Sequence, residues 1–337
     1  MSASGNSQPK TSAEIANRVN LFLSRALPLL TPLGVALGVF FPEVFTRLRP
    51  SVFWLFATIT LSGSLTISTR DLGKTITSPF PIFIFIFTVR IIMPLIVFFI
   101  SRLIFKGDQN TIAGYILVYA VPTAVLGFVW TSIFKGDPAL SLALILLDTL
   151  LAPLVVPGTI KLLLGTSISL DMTGMIISLI LMVVIPTILG VTFNELSRGK
   201  IPAMINPYLS PFSKICMVMV IAANSAAVAP QIRLDNPRLW IITAATIGFT
   251  VFGFVFAKFT SIISKLDNKK HISLFFASSL RNTSAAMTLG TQFFPPAAAL
   301  PAILGIVFQQ TTASIMGRIF LGKIPDDTNT KASDKTE

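Results

Sequence analysis

Apolar runs of about 20 residues recur along the chain, separated by short polar or charged segments. As α-helix, that length crosses roughly 30 Å of hydrocarbon. A membrane barrel strand would be about ten residues long with strict alternation. These runs are longer and do not alternate, so helices are predicted. Ten spans emerge, at about 24–41, 50–68, 79–103, 111–133, 138–163, 173–194, 207–230, 237–262, 271–289 and 296–320. The predicted fold class is an all-α membrane protein, with a transmembrane domain over residues 20–323. Residues 1–19 and 324–337 are polar and are expected to be disordered cytoplasmic ends. The first of them lacks the apolar region and cleavage site of a signal peptide.

Ten spans divide into two sets of five, at about 24–163 and 173–320. Five is odd, so the second set is expected to run inverted relative to the first. Weak internal echoes agree. Leu-Pro-Leu-Leu-Thr-Pro-Leu-Gly from Leu27 is echoed by Val-Ile-Pro-Thr-Ile-Leu-Gly from Val184. Phe-Lys-Gly-Asp-Pro-Ala-Leu (134–140) is echoed by Phe-Phe-Pro-Pro-Ala-Ala-Ala-Leu (293–300), an offset of 160 residues. Inverted repeats with helices interrupted at matching places mark secondary transporters.

Composition strengthens the membrane reading. Only 12% of residues are charged and 53% are hydrophobic, whereas a soluble domain carries about 25% charged residues. The net charge of +12 does not indicate nucleic acid, because the basic residues are spread between spans rather than gathered in one patch. They report topology instead. Fifteen fall on the side of the two termini, including Lys10, Arg70, Lys74, Lys135, Lys265, Lys323, Lys331 and Lys335, against seven on the other. Both termini are therefore predicted to be cytoplasmic, in a multi-pass protein of the plasma membrane. The single Cys216 excludes an internal disulfide and a cysteine-rich metal site, and no metal centre or cofactor is expected. Apolar surfaces that face lipid would serve a contact between copies equally well, so the sequence sets no oligomeric state.

The chemistry concentrates where spans are irregular. The fourth carries Pro122 and Gly127, and the ninth is polar in its middle, Ala-Ser-Ser-Leu-Arg-Asn-Thr-Ser-Ala-Ala-Met (277–287). Broken backbone at membrane depth survives only where it is buried in protein or lines a wet cavity. Two facing breaks would form a binding site at the midplane, although Pro122 also reads as a plain kink. A charge within a span costs about 2.5–3.5 kcal/mol on insertion scales, so Arg281, Asp148 and Arg90 are functional candidates. Asp148 lies ten residues past Pro138, roughly 15 Å along a helix at about 1.5 Å per residue. Its depth is thus compatible with an ion pair to Arg281, or with both facing one cavity. The alternative is that Asp148 occupies a crevice of its own. Arg90 reads either as an anion contact or as a snorkelling or carbonyl-bonded arginine. Thr283 and the cluster Gln309, Gln310, Thr311 and Thr312 would line the cavity or bond between helices. Lys214, Lys258 and the sole histidine, His271, read as interfacial. A membrane-embedded hydrolase needs a nucleophile with a base in reach. No such pair is evident, and an enzyme is not expected.

Two segments carry a specific resemblance. Val-Pro-Thr-Ala-Val-Leu-Gly-Phe-Val-Trp-Thr-Ser-Ile-Phe-Lys-Gly-Asp-Pro-Ala-Leu-Ser-Leu-Ala-Leu (121–144) resembles the fourth-to-fifth helix region of the bile acid:sodium symporter family. Arg-Asn-Thr-Ser-Ala-Ala-Met-Thr-Leu-Gly (281–290) with Phe-Phe-Pro-Pro-Ala-Ala-Ala-Leu-Pro-Ala-Ile (293–303) resembles its ninth-to-tenth. The resemblance implies a core of helices 3–5 and 8–10, in which broken helices 4 and 9 cross, and a panel of helices 1, 2, 6 and 7. It also implies alternating access and organic anion substrates. Of the sodium ligands it implies, only Ser141 and Asn282 carry over. Gly127 and Phe128 stand where the family has Ser-Asn, Ile145 where it has Thr, and Ala277 and Arg281 where it has Glu and Gln. A permanently charged guanidinium replaces that carboxylate-bearing pattern. The expectation is a carrier of a small carboxylate or sulfonate that does not use the usual sodium sites. It would be coupled to protons through Asp148 or act as a uniporter or exchanger. Sodium-coupled symport and an efflux carrier of similar fold are the alternatives.

Overall fold

The computed structural model describes residues 12–67, 79–165 and 170–322. The topology residues Lys10, Arg70, Lys74, Lys323, Lys331 and Lys335, and the tail 324–337, lie outside the described residues. Among the described residues the chain is helical, with no strand beyond a single isolated bridge.

In chain order the helices are α1 (Ser12–Phe40), the short α2 (Pro42–Thr46), α3 (Val52–Ser64), α4 (Pro79–Ile104), α5 (Gln109–Ala120), α6 (Leu126–Ile133) and α7 (Pro138–Leu164). They continue with α8 (Met172–Leu196), α9 (Lys200–Val228), α10 (Pro237–Ile263), α11 (Asn268–Ser279), α12 (Thr283–Phe293) and α13 (Leu300–Leu321). A helix, or a pair of shorter ones, underlies each of the ten predicted spans. The spans centred on α4, α7, α8, α9, α10 and α13 are by themselves long and apolar enough to cross a membrane. α1 begins at Ser12, inside the segment 1–19 expected to be disordered.

Local chemistry fixes the helix starts. Asp108, Asp137, Asp171, Asn236 and Asp267 each accept a backbone N–H of the following first turn, from Thr111, Leu140, Gly174, Arg238 and Lys270. These oxygens satisfy donors that a helix leaves unpaired at its start. Pro138 and Pro237 follow two of these caps, where proline's missing N–H costs nothing. Inside α4 and α8 the chain widens into a π turn, at Phe87–Ile92 and Ile180–Val184. Each is followed within two residues by a proline, Pro94 or Pro186. A local change of helical pitch accommodates the ring and the missing donor.

Packing sorts the helices into two groups. In one, α1, α3, α8 and α9 lie together. Gly34 and Gly38 of α1 give α9 its close approach, for a Cβ at Gly38 would sit 2.2 Å from the Ala222 carbonyl oxygen. This small-xxx-small spacing is the usual device for close helix contact in lipid. The other group holds α4–α7 and α10–α13. Polar contacts join the two. Asn224 of α9 donates to Thr288 (3.0 Å) and accepts from Thr291 (2.8 Å) of α12, and Arg49 donates to the Thr291 carbonyl (3.2 Å).

Candidate functional site

Two helix interruptions meet in the second group. α5 stops at Ala120 because Val121, the residue before Pro122, is extended (ψ 156°), as the proline ring demands of its predecessor. The chain resumes as α6 at Leu126. α11 stops at Ser279, Leu280 is extended (φ −93°, ψ 124°), and Asn282 caps the new start of α12 by accepting from Ala285 N–H (3.1 Å). The two extended stretches cross as an antiparallel bridge between Thr123 and Arg281. Asn282 N–H donates to the Pro122 carbonyl (2.9 Å), and Ala124 N–H to the Leu280 carbonyl (3.1 Å). Each break therefore satisfies part of the other's freed backbone, which lipid cannot do.

Side chains complete the pairing. The Thr123 hydroxyl lies 2.6 and 2.7 Å from the carbonyls of Ala277 and Leu280, sharing one proton between them. Gln309 of α13 accepts from Arg281 N–H (2.9 Å) and donates to the Arg281 carbonyl (3.0 Å). Its amide thus acts as an extra strand residue. Nothing in the composition around Thr123 distinguishes it as a site residue. Its one signal is its place directly after Pro122.

The charged residues arrange themselves differently from the expected Asp148–Arg281 pair. Asp148, fully buried on α7, is paired with Arg90 (Nε–Oδ1 2.6 Å), and its other carboxylate oxygen accepts from Thr123 N–H (2.7 Å). Arg90 sits in the π turn of α4. It donates further to the Asp148 carbonyl (3.1 Å) and to the Ala120 carbonyl, at the end of α5. The expected Asp148–Arg281 pair does not form: the carboxylate is oriented by Arg90 and Thr123 N–H, and the Arg281 guanidinium donates to the Ser278 carbonyl instead. A snorkelling Arg90 is also not observed, since Arg90 is buried and bonded to carbonyls.

Arg281 is 2% exposed. Its Nη2 donates to the Ser278 carbonyl (2.7 Å), in the last turn of α11, and its guanidinium lies 5.9 Å over the Tyr119 ring. Nε and Nη1 have no hydrogen-bond partner among the described residues. Arg281 lines a cleft together with Tyr115, Tyr119, Thr246, Thr250, Ser279, Thr283 and Gln309. The cleft has room for roughly one water, so it is closed to a metabolite in this conformation. Asp148 does not line it, and neither does any residue of α1, α3, α8 or α9.

The remaining candidates are spread over both helix groups. Asn282 is half-buried at the N-terminal end of α12. Ser141, fully buried, is within 3.4 Å of the Thr131 hydroxyl and away from the bridge. Gly127 packs α6 on α11, where a Cβ would meet the Phe276 carbonyl oxygen at 3.6 Å, an ordinary contact. Gln310 accepts from the Trp130 ring N–H (2.9 Å). Of the three expected interfacial groups, Lys258 and His271 lie together (3.0 Å), and Lys214 bonds Asn20 and Ser210. Among the described residues no three of His, Cys, Asp and Glu are grouped to hold a metal ion.

Known proteins match this chain over most of its length. Residues 53–233 match the Sodium Bile acid symporter family. The chain is 38% identical over 291 residues to the uncharacterized protein YbaS of Bacillus subtilis (strain 168), covering 86% of this chain and 95% of that one. It is 24% identical to the probable sodium/metabolite cotransporter BASS1, chloroplastic, of Arabidopsis thaliana, covering 94% and 78%. It is 23% identical to the uncharacterized sodium-dependent transporter YocS of Bacillus subtilis (strain 168), covering 92% and 95%. With its apolar spans, its crossed helix breaks and these relatives, the chain is a multi-pass membrane protein that belongs to the sodium bile acid symporter family of transporters.

Proposed function

We propose that the protein is a secondary transporter of a small organic anion, a carboxylate or sulfonate, in the cytoplasmic membrane with both termini inside. Ten crossings in two inverted repeats would build it. The group α4–α7 and α10–α13 would be the core, and α1, α3, α8 and α9 the panel. Alternating access would follow from core moving against panel, and the polar contacts of Asn224 and Arg49 with α12 would break on one side of the cycle. The anion would dock at the half-helix N-termini of α6 and α12, beside Asn282, because a half-helix N-terminus is a positive dipole end.

The observation that carries the anion reading is the charge at the crossing. Among the described residues Arg90 and Arg281 stand against Asp148 alone, and Nε and Nη1 of Arg281 are without partners. A monoanion brings this buried set to neutrality, and a buried unpaired charge is costly. Proton coupling through Asp148 has less support, because both of its carboxylate oxygens are already engaged. Sodium coupling is the second reading. It is favoured by two relatives, a probable sodium/metabolite cotransporter and an uncharacterized sodium-dependent transporter.

The test is thermal stabilisation of the purified protein by a panel of small carboxylates and sulfonates. A ligand that binds only the folded state raises apparent stability, by about 2.7 kcal/mol at 100 times its Kd. Stabilisation by an anion that is lost in Asn282→Ala supports the reading. Stabilisation only by cationic or neutral solutes overturns it.

A further inference from the structure

We infer that Arg90 and Arg281 are built-in cations, tethered at the two places where a carrier of this design would hold sodium. In broken-helix transporters, unwound carbonyls and the C-terminal ends of half-helices coordinate the coupling cation. Here both C-terminal ends are already capped by a guanidinium. Arg90 donates to the Ala120 carbonyl, the last of α5. Arg281 donates to the Ser278 carbonyl, next to last in α11 (2.7 Å).

The two arginines reach equivalent half-helix ends from unrelated positions, one from the π turn of α4 and one from the break itself. Each is buried, at 7% and 2% exposure. Each therefore gives up water for carbonyl oxygens and, in the case of Arg90, for Asp148.

A sodium ion does not fit this arrangement. Sodium requires a cage of oxygens, preferably with a carboxylate. The carboxylate at the crossing already neutralises Arg90 and accepts from Thr123 N–H, and at each half-helix end one carbonyl already faces a guanidinium N–H. The charge argument points the same way. Two cations and one anion leave the crossing at +1, so a further cation would have no counter-charge, whereas an organic monoanion would. The consequence, which rests on the carrier reading above, is transport of the anion without a metal cation as partner.

The experiment has two readouts. The first is the melting temperature of the purified protein in sodium chloride against choline chloride at equal ionic strength, with no organic anion present. Wild type is expected to melt at the same temperature in both. Arg281→Gln frees the Ser278 carbonyl, removes the positive charge, and is expected to gain saturable, sodium-specific stabilisation. Arg281→Lys keeps the charge and is expected to remain indifferent. Sodium-specific stabilisation of wild type overturns the inference, even where Arg281→Gln fails to fold. So does an Arg281→Gln protein that folds and stays indifferent to sodium. The second readout is uptake by proteoliposomes of whichever anion stabilises the protein, with an expected sodium-to-choline rate ratio near one. Absence of any stabilising anion would defeat the carrier reading while the sodium comparison still stood.

Discussion

The two helix breaks that meet at the crossing are made by different means. In the α5–α6 break the covalent chain does the work. Pro122 removes a donor and forces Val121 out of the helix. The α11–α12 break contains no proline. It persists because a distant side chain, Gln309, satisfies both backbone groups of Arg281, and because Asn282 offers a better helix start than continuation. One break is thus written locally, and the other is borrowed from tertiary neighbours. Their energetic anchors differ accordingly. The first rests on the buried Asp148–Arg90 pair, the second on the amide bonds of Gln309 and Asn282 with one guanidinium bond to the Ser278 carbonyl.

The largest expected effect follows from the first anchor. Asp148→Asn strips Arg90 of its counter-ion, and breaking a buried pair from one side costs about 3–5 kcal/mol. Folded yield and melting temperature should drop sharply. Arg90→Gln with Asp148→Asn should recover part of the loss, because the uncompensated charge is gone. A melting temperature unchanged in the single variant would remove the contrast between the two breaks. Next comes Gln309→Leu, which leaves the N–H of Arg281 without a partner and its carbonyl with Thr283 N–H alone, at about 1–3 kcal/mol for the orphaned donor. Amide exchange at residues 279–283 should accelerate while that at 121–125 stays slow. Equal acceleration at both breaks would show that they act as one unit. Thr123→Val removes the hydroxyl shared by Ala277 and Leu280 while leaving the Thr123 N–H bond to Asp148 intact. The expected loss is about 0.5–1.5 kcal/mol, read as a modest fall in melting temperature.

The smallest effect lies outside the crossing. Asp267 caps α11, and the Lys270 backbone N–H holds its carboxyl below the usual range. Its folded pKa is depressed, so its contribution is fully present above the unfolded value of about 3.9. That contribution fades as pH falls through the lowered folded value. Asp267→Ala should cost about 1 kcal/mol or less near neutral pH and almost nothing in strong acid, as a pH series of melting temperatures would reveal.

Much of the site was legible in the sequence. Pro122 announced one break, and the polar run 277–284 marked the depth of the other. Both Arg281 and Asp148 were exposed as candidates by the rarity of charge in apolar spans. The pairing was not legible. Arg90 and Asp148 are 58 residues apart, and nothing local distinguishes Arg90 from Arg281 as the partner of Asp148. The Arg90 bonds to Asp148 and to the Ala120 carbonyl, and the Asp148 oxygen given to Thr123 N–H, exist only once α4, α5 and α7 are packed together.

The sequence by itself determined the helical class, the six segments long and apolar enough to cross a membrane, the helix starts at Asp108, Asp137, Asp171, Asn236 and Asp267, and the break at Pro122. These are set by hydrocarbon thickness, by capping chemistry and by a covalent ring, all of which act within a few residues. Only the tertiary structure decided which cation neutralises Asp148, which carbonyls the guanidinium groups cap, and what holds the second break open. Those outcomes depend on which groups meet in a medium without water, where each buried donor, acceptor and charge must find its partner from another part of the chain.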